Sequence, residues 1–384
     1  MSIARAALVL FAVALSPGWA AADGDPLLKI DRYVAVQMQE QRIPGVQVGI
    51  YRHGKVVLAK GYGSANVELG VPVRPEMVFQ SGSVGKQFTA TGVMLLVEDG
   101  RVSLEDSITK YFAGAPASWQ PIKVKHLLSH TSGLGQYANH ERTQPFGPFD
   151  LQEQMTEDQV LKRIQALSID FPVGERWLYC DTNYVLLGIL IHKVTGQFYG
   201  DFLAQRIFKP LGMGATRTIS NIDIVPNRVA GYQLDGESLK NQKWVSPFYS
   251  STGDGALYFN VLDLAKWDAA LYTENLLKKS TLEQMWTPAV LNNGERNIAH
   301  YGFGWFIRSI HGRKLIEHGG GWQGFTAHIA RYVDDGITIV VLSNLSSADS
   351  SKMAHAIAGL YDSALTPDAD TDAPPAGLED YDTV

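Results

Sequence analysis

A serine and a lysine stand three residues apart in the segment Phe79–Ala90, whose sequence is FQSGSVGKQFTA. The segment opens a helical pattern, so Ser83 and Lys86 are expected to be neighbours on one face of a helix N-terminus. A serine hydroxyl becomes a nucleophile when a base takes its proton, and a lysine can act as that base if burial lowers its pKa. Free N–H groups at a helix start also suit an oxyanion. The spacing indicates acyl transfer, although Ser-x-x-Lys alone is more often an ordinary helix start.

Three later segments, taken together with this pair, indicate a protein family. They are Leu127–Leu134 (LLSHTSGL), Tyr179–Tyr184 (YCDTNY) and Glu317–Phe325 (EHGGGWQGF). In this order and at these separations, the set resembles the serine β-lactamase and penicillin-binding-protein family, closest to its class C branch. That branch includes class C β-lactamases, D,D-peptidases, D-aminopeptidases and β-lactamase-like esterases. The resemblance extends from about residue 26 to residue 361.

The resemblance implies roles for individual residues. Ser83 is expected to be the acylated nucleophile, and Lys86 the residue that holds or takes its proton. Tyr179 occupies the tyrosine position of the family's Y-x-N motif, where it moves protons between Ser83 and the leaving group. A tyrosine beside a lysine ammonium is expected to have a lowered pKa. The family's third motif appears as His318-Gly319-Gly320 on a predicted strand that lines the cleft, and His318 is expected to be among the catalytic residues. The oxyanion hole maps to the N–H groups of Ser83 and Gly321, with Gly320 among the substrate-binding residues.

Two positions depart from the β-lactamase pattern. His318 stands where β-lactamases keep a lysine, and a histidine with its ordinary pKa of ~6.5 is mostly neutral at pH 7. H-x-G also occurs in the D,D-peptidases, D-aminopeptidases and esterases of the family. Asp181 stands where the family has asparagine, and an ionised carboxylate only accepts hydrogen bonds. Asp181 fits a substrate ammonium, a site that disfavours anionic β-lactams, or the cap of a helix predicted over Thr182–Val194.

The sequence gives little support to other catalytic serines or to a metal site. Ser129 and His130 are adjacent, so their side chains are expected to point apart. Ser251-Thr252-Gly253 lacks a preceding lysine and is expected to be a glycine-rich turn near the pocket. No serine lies in G-x-S-x-G, which argues against an α/β-hydrolase. The ten histidines form no H-E-x-x-H motif and no tight cluster, so we expect no metal and no cofactor.

Strand patterns at both ends of the chain enclose a largely helical middle. Val46–Tyr51 and Lys55–Lys60 predict a hairpin that turns at His53-Gly54. The later strand patterns are Phe303–Ser309, Lys314–His318, Phe325–Tyr332 and Ile337–Leu342. We therefore expect an α/β (α+β) fold in which an antiparallel sheet from both chain ends is flanked by helices and carries an inserted helical lobe. The sheet lobe would comprise residues 23–80 and 300–361, the helical lobe residues 81–299, and the site would lie between them.

The N-terminus has the features of a secretory signal peptide over residues 1–22. Arg5 is followed by the apolar run Ala6–Leu15 and then by small residues up to Ala22. The run is well short of the ~20 residues that a bilayer-spanning helix needs. We expect cleavage near Ala22, a secreted or periplasmic protein and no stable membrane insertion. Cys180, the single cysteine, is then expected to be a small buried side chain rather than a reactive thiol.

The charge of the chain is concentrated at its C-terminus. The 384 residues include 33 Lys and Arg and 39 Asp and Glu, for a formal net charge of −6. This balance argues against a nucleic-acid partner. Residues 362–384 carry seven acidic and no basic side chains and are predicted to form a disordered tail. Without that tail and Arg5, 32 basic and 32 acidic residues remain, so the predicted catalytic body is neutral.

These observations favour an exported serine hydrolase that forms an acyl-enzyme on Ser83. Its expected partner is a small-molecule or peptide substrate, either a D-amino-acid peptide or a carboxylic ester. The first alternative is a class C-type β-lactamase. The second is a catalytically idle protein that binds a cell-wall fragment, although a binder has no need for Lys86 beside Ser83.

Overall fold

Strands from both ends of the described chain form the main sheet. The computed structural model describes residues 25–137 and 149–367. The strands in these ranges are β1 (Gly45–Arg52), β2 (Lys55–Asn66), β3 (Val71–Pro72), β4 (Phe79–Gln80), β5 (Arg217–Thr218), β6 (Tyr232–Asp235), β7 (Ser238–Asn241), β8 (Leu257–Phe259), β9 (Phe306–Ile310), β10 (Arg313–Trp322), β11 (Phe325–Tyr332) and β12 (Ile337–Ser343). Seven of them pair in the order β3-β2-β1-β12-β11-β10-β9. At the centre, β1 and β12 are antiparallel, with Val46 opposite Ser343.

The helices lie before, between and after these strands. They are α1 (Pro26–Gln41), α2 (Lys86–Glu98), α3 (Val124–Leu128), α4 (Glu157–Gln165), α5 (Asp181–Thr195), α6 (Tyr199–Leu203), α7 (Val261–Ala270), α8 (Lys279–Met285) and α9 (Ser350–Tyr361). The terminal helices α1 and α9 contribute to one core, whereas α2 and α5 contribute to a second core. In the described part of the chain, no helix is long and apolar enough to cross a bilayer.

The sheet separates two apolar cores because successive side chains of a strand face opposite sides. Ile339 and Val341 of β12 belong to the core that includes Ile357 of α9. Val340 and Leu342, which alternate with them, belong to the core of the helical region. This arrangement confirms the predicted fold class, an antiparallel sheet from both chain ends with flanking helices.

Strand β10 is longer than its sequence pattern predicts. The expected strand was Lys314–His318, but β10 continues through Gly319–Gly321 and ends at Trp322. Glycine weakens an isolated strand because it provides no side chain to pack. Here β11 pairs with the glycine run residue by residue, with Gly320 opposite Ala327. Pairing with a buried neighbour therefore holds the extended conformation that the local sequence does not predict.

A second, small sheet places the Ser83 segment. Strand β4 pairs with β8, so that Phe79 lies opposite Phe259. One residue beyond β4, the Ser81 N–H donates to the Leu257 carbonyl at 2.8 Å, and its hydroxyl donates to the Gly255 carbonyl. The turn around Gly255 is thereby held against the start of the segment that contains Ser83.

The ordered body continues beyond the predicted start of the tail at residue 362. Residues Ser363–Leu365 form a short 3₁₀ turn, and the side chain of Leu365 is fully buried in the core that includes α9. The expected boundary is therefore too early, because an apolar side chain after α9 still finds a place in the core. Residues 368–384 and the predicted signal peptide lie outside the described residues.

Candidate active site

Ser83 and Lys86 lie at the junction between a 3₁₀ turn and helix α2. The turn comprises Gly82–Gly85, and α2 begins at Lys86. Lys86 is completely buried, and Ser83 is 6% exposed. The Lys86 Nζ donates a hydrogen bond to the Ser83 Oγ at 2.8 Å. The three-residue spacing thus brings the two side chains into direct contact, and Ser83 lines a cavity that opens beside it.

Three acceptors surround the lysine nitrogen. Besides Ser83 Oγ, Lys86 Nζ donates to Asp181 Oδ1 at 2.6 Å and to the backbone carbonyl of Asp254 at 2.6 Å. An ammonium group has three N–H donors and no acceptor, so this environment matches the charged form. Burial lowers the pKa of Lys86, but the negative charges of Asp181 and its neighbours outweigh it and raise the pKa above its ordinary value. Burial alone therefore does not make Lys86 a base, because the Asp181 carboxylate beside it favours the charged ammonium.

Asp181 does not cap the helix that follows it. Helix α5 begins at Asp181 itself, and its N-cap residue is Cys180. The Oε1 of Gln136 accepts from the N–H groups of Asp181 and Thr182, at 2.9 and 3.3 Å. Gln136 also donates through Nε2 to Asp181 Oδ2 at 3.0 Å. Gln136 therefore supplies the oxygen that the cap was predicted to provide, which leaves the Asp181 carboxylate to pair with Lys86 and line the cavity. Cys180 is buried, as predicted.

Tyr179 lies beside the lysine, with its ring centroid 4.9 Å from the Lys86 Nζ. Its ring also packs against His130, with 4.3 Å between centroids and 31° between planes. Burial raises the pKa of Tyr179 to about 12, although Lys86 opposes this by favouring the phenolate. The predicted lowering of the Tyr179 pKa is therefore wrong. Lys86 does lower this pKa, but the loss of hydration on burial raises it by more. At pH 7 Tyr179 is a neutral phenol that can donate a proton.

His130 and Ser129 form no nucleophile–base pair. The Ser129 hydroxyl donates to the Lys125 carbonyl at 2.8 Å, whereas Nδ1 of His130 accepts from the Cys180 N–H at 3.2 Å. His130 thus packs against Tyr179 and positions it.

His318 is buried beneath the cavity rather than exposed in it. Its Nδ1 donates to the Gly319 carbonyl at 2.6 Å, and its Nε2 accepts from the Tyr301 hydroxyl at 3.0 Å. Burial and the charge of Lys86 lower the pKa of His318 to about 3. The ring is therefore neutral at every pH near 7. In the described part of the chain, the lining residues are Gly82, Ser83, Asp181, Asp254, Gly255, Gly321 and Trp322. His318 is not among them, so its geometry fits a positioning role rather than the expected catalytic one.

Strand β10 touches the Ser83 turn backbone to backbone. A Cβ atom added to Gly320 would lie 2.5 Å from the Ser81 carbonyl oxygen and 2.7 Å from the Ser83 nitrogen. On the other side, a Cβ on Gly82 would lie 2.6 Å from the Gly321 nitrogen, and Gly82 also has a positive φ of 50°. Only glycine permits such a close approach. The contact brings the N–H-bearing backbone of Ser83 and Gly321 together at the cavity.

Replacing Gly320 with alanine should therefore damage both stability and activity. The new methyl group cannot fit without separating β10 from the Ser83 turn, which should cost about 1–3 kcal/mol of unfolding free energy. Gly214→Ala is the matched control, because no heavy atom lies within 4 Å of its added Cβ. Urea unfolding measures both variants; equal stabilities would contradict the contact.

Asp254 is a site residue that the sequence did not reveal. It follows the turn Ser251-Thr252-Gly253, which was expected near the pocket, and it lines the cavity together with Ser83. The Tyr137 hydroxyl donates to Asp254 Oδ2 at 2.8 Å. The only local signal was that Asp254 stands between two glycines. Its hydrogen-bond partner Tyr137 lies 117 positions away in the sequence.

A second cluster of titratable side chains lies on the other face of β10. Glu317 alternates with His318 and therefore faces the opposite side. Its Oε2 lies 2.6 Å from His355 Nε2 and 3.2 Å from His328 Nε2, and its Oε1 lies 3.1 Å from Arg308 Nε. The histidines form no tight cluster along the sequence, but strand pairing and α9 bring His328 and His355 together in the fold. The short contacts and the arginine form an ion-pair network around a buried carboxylate.

This cluster lacks one feature of a metal site. A histidine that binds a metal normally donates its other N–H to a partner, but Nδ1 of His328 has no hydrogen-bond partner in the described part of the chain.

Sequence comparisons agree with this geometry. The chain matches the Beta-lactamase family over residues 30–362. Penicillin-binding protein 4* of Bacillus subtilis is 32% identical over 306 residues, which are 76% of this chain and 66% of that protein. Protein flp of Staphylococcus aureus (strain MRSA252) is 28% identical over 329 residues, 84% of this chain and 64% of that protein. This chain thus spans just under two thirds of the length of these relatives.

Solved structures share the fold. The octameric penicillin-binding protein homologue from Pyrococcus abyssi has a TM-score of 0.76 and 29% identity, over 91% of this chain and 79% of that chain. The D-amino acid amidase from Ochrobactrum anthropi SV3, complexed with L-phenylalanine amide, has a TM-score of 0.73 and 23% identity, over 89% and 98% of the two chains. The resemblance inferred from the sequence motifs is confirmed: this chain belongs to the Beta-lactamase family.

Proposed function

We propose that the protein is a serine hydrolase that transfers an acyl group from an ester or amide to Ser83 and then to water. The observation that carries this proposal is the position of Ser83 Oγ, 2.8 Å from Lys86 Nζ and on the wall of a cavity that Gly321 also lines. The family match supports the reaction class, because its members include penicillin-binding proteins.

The proton of Ser83 has a path through the buried ion pair. Lys86 passes one proton to Asp181 across their 2.6 Å hydrogen bond and then takes the proton of Ser83 as Oγ attacks the carbonyl carbon. The N–H groups of Ser83 and Gly321 stabilise the oxyanion. When the tetrahedral intermediate collapses, Tyr179 donates a proton to the leaving group and regains one from Lys86. Water then attacks the acyl-enzyme, and the same groups act in reverse.

The charges around the cavity favour peptidase or esterase activity over β-lactamase activity. His318 is neutral and offers no fixed positive charge to the carboxylate of a β-lactam. Two of the lining residues, Asp181 and Asp254, are acidic, so an anionic substrate is repelled. The substrates proposed are D-amino-acid peptides or amides and carboxylic esters. The predicted signal peptide adds the proposal that the protein acts outside the cytoplasm.

A substrate panel tests the proposal. The panel contains p-nitrophenyl esters, D-amino-acid anilides, D-Ala-D-Ala peptides and nitrocefin, each incubated with the wild type and with Ser83→Ala. We expect turnover of an ester or a D-amino-acid amide that depends on Ser83, with slow nitrocefin hydrolysis. Nitrocefin as the best substrate would instead establish the β-lactamase alternative. Binding of a muropeptide without any turnover would establish the idle binding protein.

A further inference from the structure

The cavity beside Ser83 is lined by two acidic residues, Asp181 and Asp254, and by no basic residue in the described part of the chain. Lys86 is adjacent, but its three N–H groups are used by Ser83, by the Asp181 carboxylate and by the backbone carbonyl of Asp254. The ammonium therefore pairs with Asp181. Within residues 25–137 and 149–367, no ion pair joins a cation to the side chain of Asp254.

Neutral groups hold the Asp254 carboxylate in place. The buried Tyr137 hydroxyl donates to its Oδ2 at 2.8 Å, and the Thr252 side chain also forms a hydrogen bond with it. The Tyr137 ring stacks on Tyr249, with 5.9 Å between centroids and 9° between planes. Asp254 is only 5% exposed. These contacts fix the direction of the carboxylate but do not neutralise it.

The nearby histidines add no positive charge. Burial lowers the pKa of His318 to about 3 and the pKa of His130 well below its ordinary value. With Asp181 and Lys86 paired, the site carries one negative charge in excess when Asp254 is ionised. Burial and the charge of Asp181 raise the pKa of Asp254, which shows that this charge is held at a cost. A cationic ligand in the cavity would remove that cost.

We propose that Asp254 binds the ammonium group of the substrate and makes the site selective for amino-acid amides and esters that have a free amino group. The inference rests on the proposed hydrolase function, since it concerns the substrate that reaches Ser83. In an amino-acid amide the ammonium is one carbon from the carbonyl that Ser83 attacks. This compact arrangement fits a small cavity that has both Ser83 and Asp254 among its lining residues.

Two matched substrates test this selectivity. D-Alanyl p-nitroanilide carries the ammonium, and propionyl p-nitroanilide lacks only that amino group. A hydrogen bond to a charged group contributes about 1.5–3 kcal/mol, so we expect the wild type to prefer the D-alanyl substrate by about tenfold to a hundredfold in kcat/KM. Asp254→Asn should remove most of this preference, chiefly by raising KM for the D-alanyl substrate with little change in kcat. Asp235→Asn, the same change at an exposed position of β6, should keep it.

The outcomes separate the two proposals. Equal kcat/KM values of the two substrates with the wild type would overturn the ammonium site, even if Asp254→Asn does not fold. An unchanged preference in a folded Asp254→Asn variant would overturn the role of Asp254. In either case, loss of turnover in Ser83→Ala would leave the hydrolase function intact. Turnover that survives Ser83→Ala would instead refute the function on which this inference rests.

Discussion

Replacing Ser83 with alanine should lower kcat/KM by about 10⁴-fold or more for every substrate that the protein turns over. The hydroxyl is the group that contacts Lys86 and lines the cavity, so its removal leaves no atom to accept the acyl group. The variant should keep its fold, because Ser83 is small and the Lys86–Asp181 pair remains. A fluorophosphonate probe and intact mass measurement should detect one covalent adduct on the wild type and none on Ser83→Ala.

Ser129→Ala is the control for this experiment. Ser129 stands beside a histidine in the sequence, but its hydroxyl is bound to the Lys125 carbonyl. We expect labelling of Ser129→Ala at the wild-type rate. Equal labelling of the wild type and Ser83→Ala would rule out Ser83 as the nucleophile.

Asp181→Ala should lower the free energy of unfolding by about 3–5 kcal/mol, since it removes one partner of a buried ion pair and leaves the other charge without compensation. Lys86 has no exposed surface, so its ammonium depends on acceptors of the protein for compensation. Urea unfolding at pH 7 measures the effect. Wild-type stability in this variant would contradict a charged Lys86.

Asp181→Asn keeps the shape of the side chain and tests its charge. Without the carboxylate, the pKa of Lys86 should fall, because burial lowers it and the largest opposing charge is gone. In the wild type the raised lysine pKa stabilises the fold at pH 7, and this contribution is lost only as the pH rises through that pKa. In the variant, the lysine loses its proton more readily in the fold. The stability of Asp181→Asn should therefore approach that of the wild type as the pH rises from 7 to 10. A constant difference across this range would count against Lys86 as the group responsible.

Local patterns predicted the elements of the fold well where each element depends on its own residues. Runs of residues typical of strands predicted the β1–β2 hairpin and the strands β11 and β12. The extension of β10 through its glycines was missed, because pairing with β11 holds them extended and glycine itself does not favour a strand.

The residues of the site were easier to predict than their protonation states. The position of Lys86 beside Ser83 follows from helical spacing. Its pKa depends on Asp181 and Asp254, which are 95 and 168 residues away. Likewise, Gln136 replaces Asp181 as the helix cap only because the chain folds back to it. Electrostatic properties depend on tertiary neighbours, and a single sequence does not give their distances.

The backbone contact between β10 and the Ser83 turn also constrains the order in which the protein can become active. A nascent chain that ends before Arg313 already contains the proposed nucleophile Ser83, with Lys86, Tyr179 and Asp181, but it has no β10 and therefore no Gly321 N–H. The central pairing of β1 with β12 joins residues almost 300 positions apart, and contacts of such long range form late in folding. On the proposed function, Ser83 can therefore react only after β10 has been synthesised and has paired in the sheet.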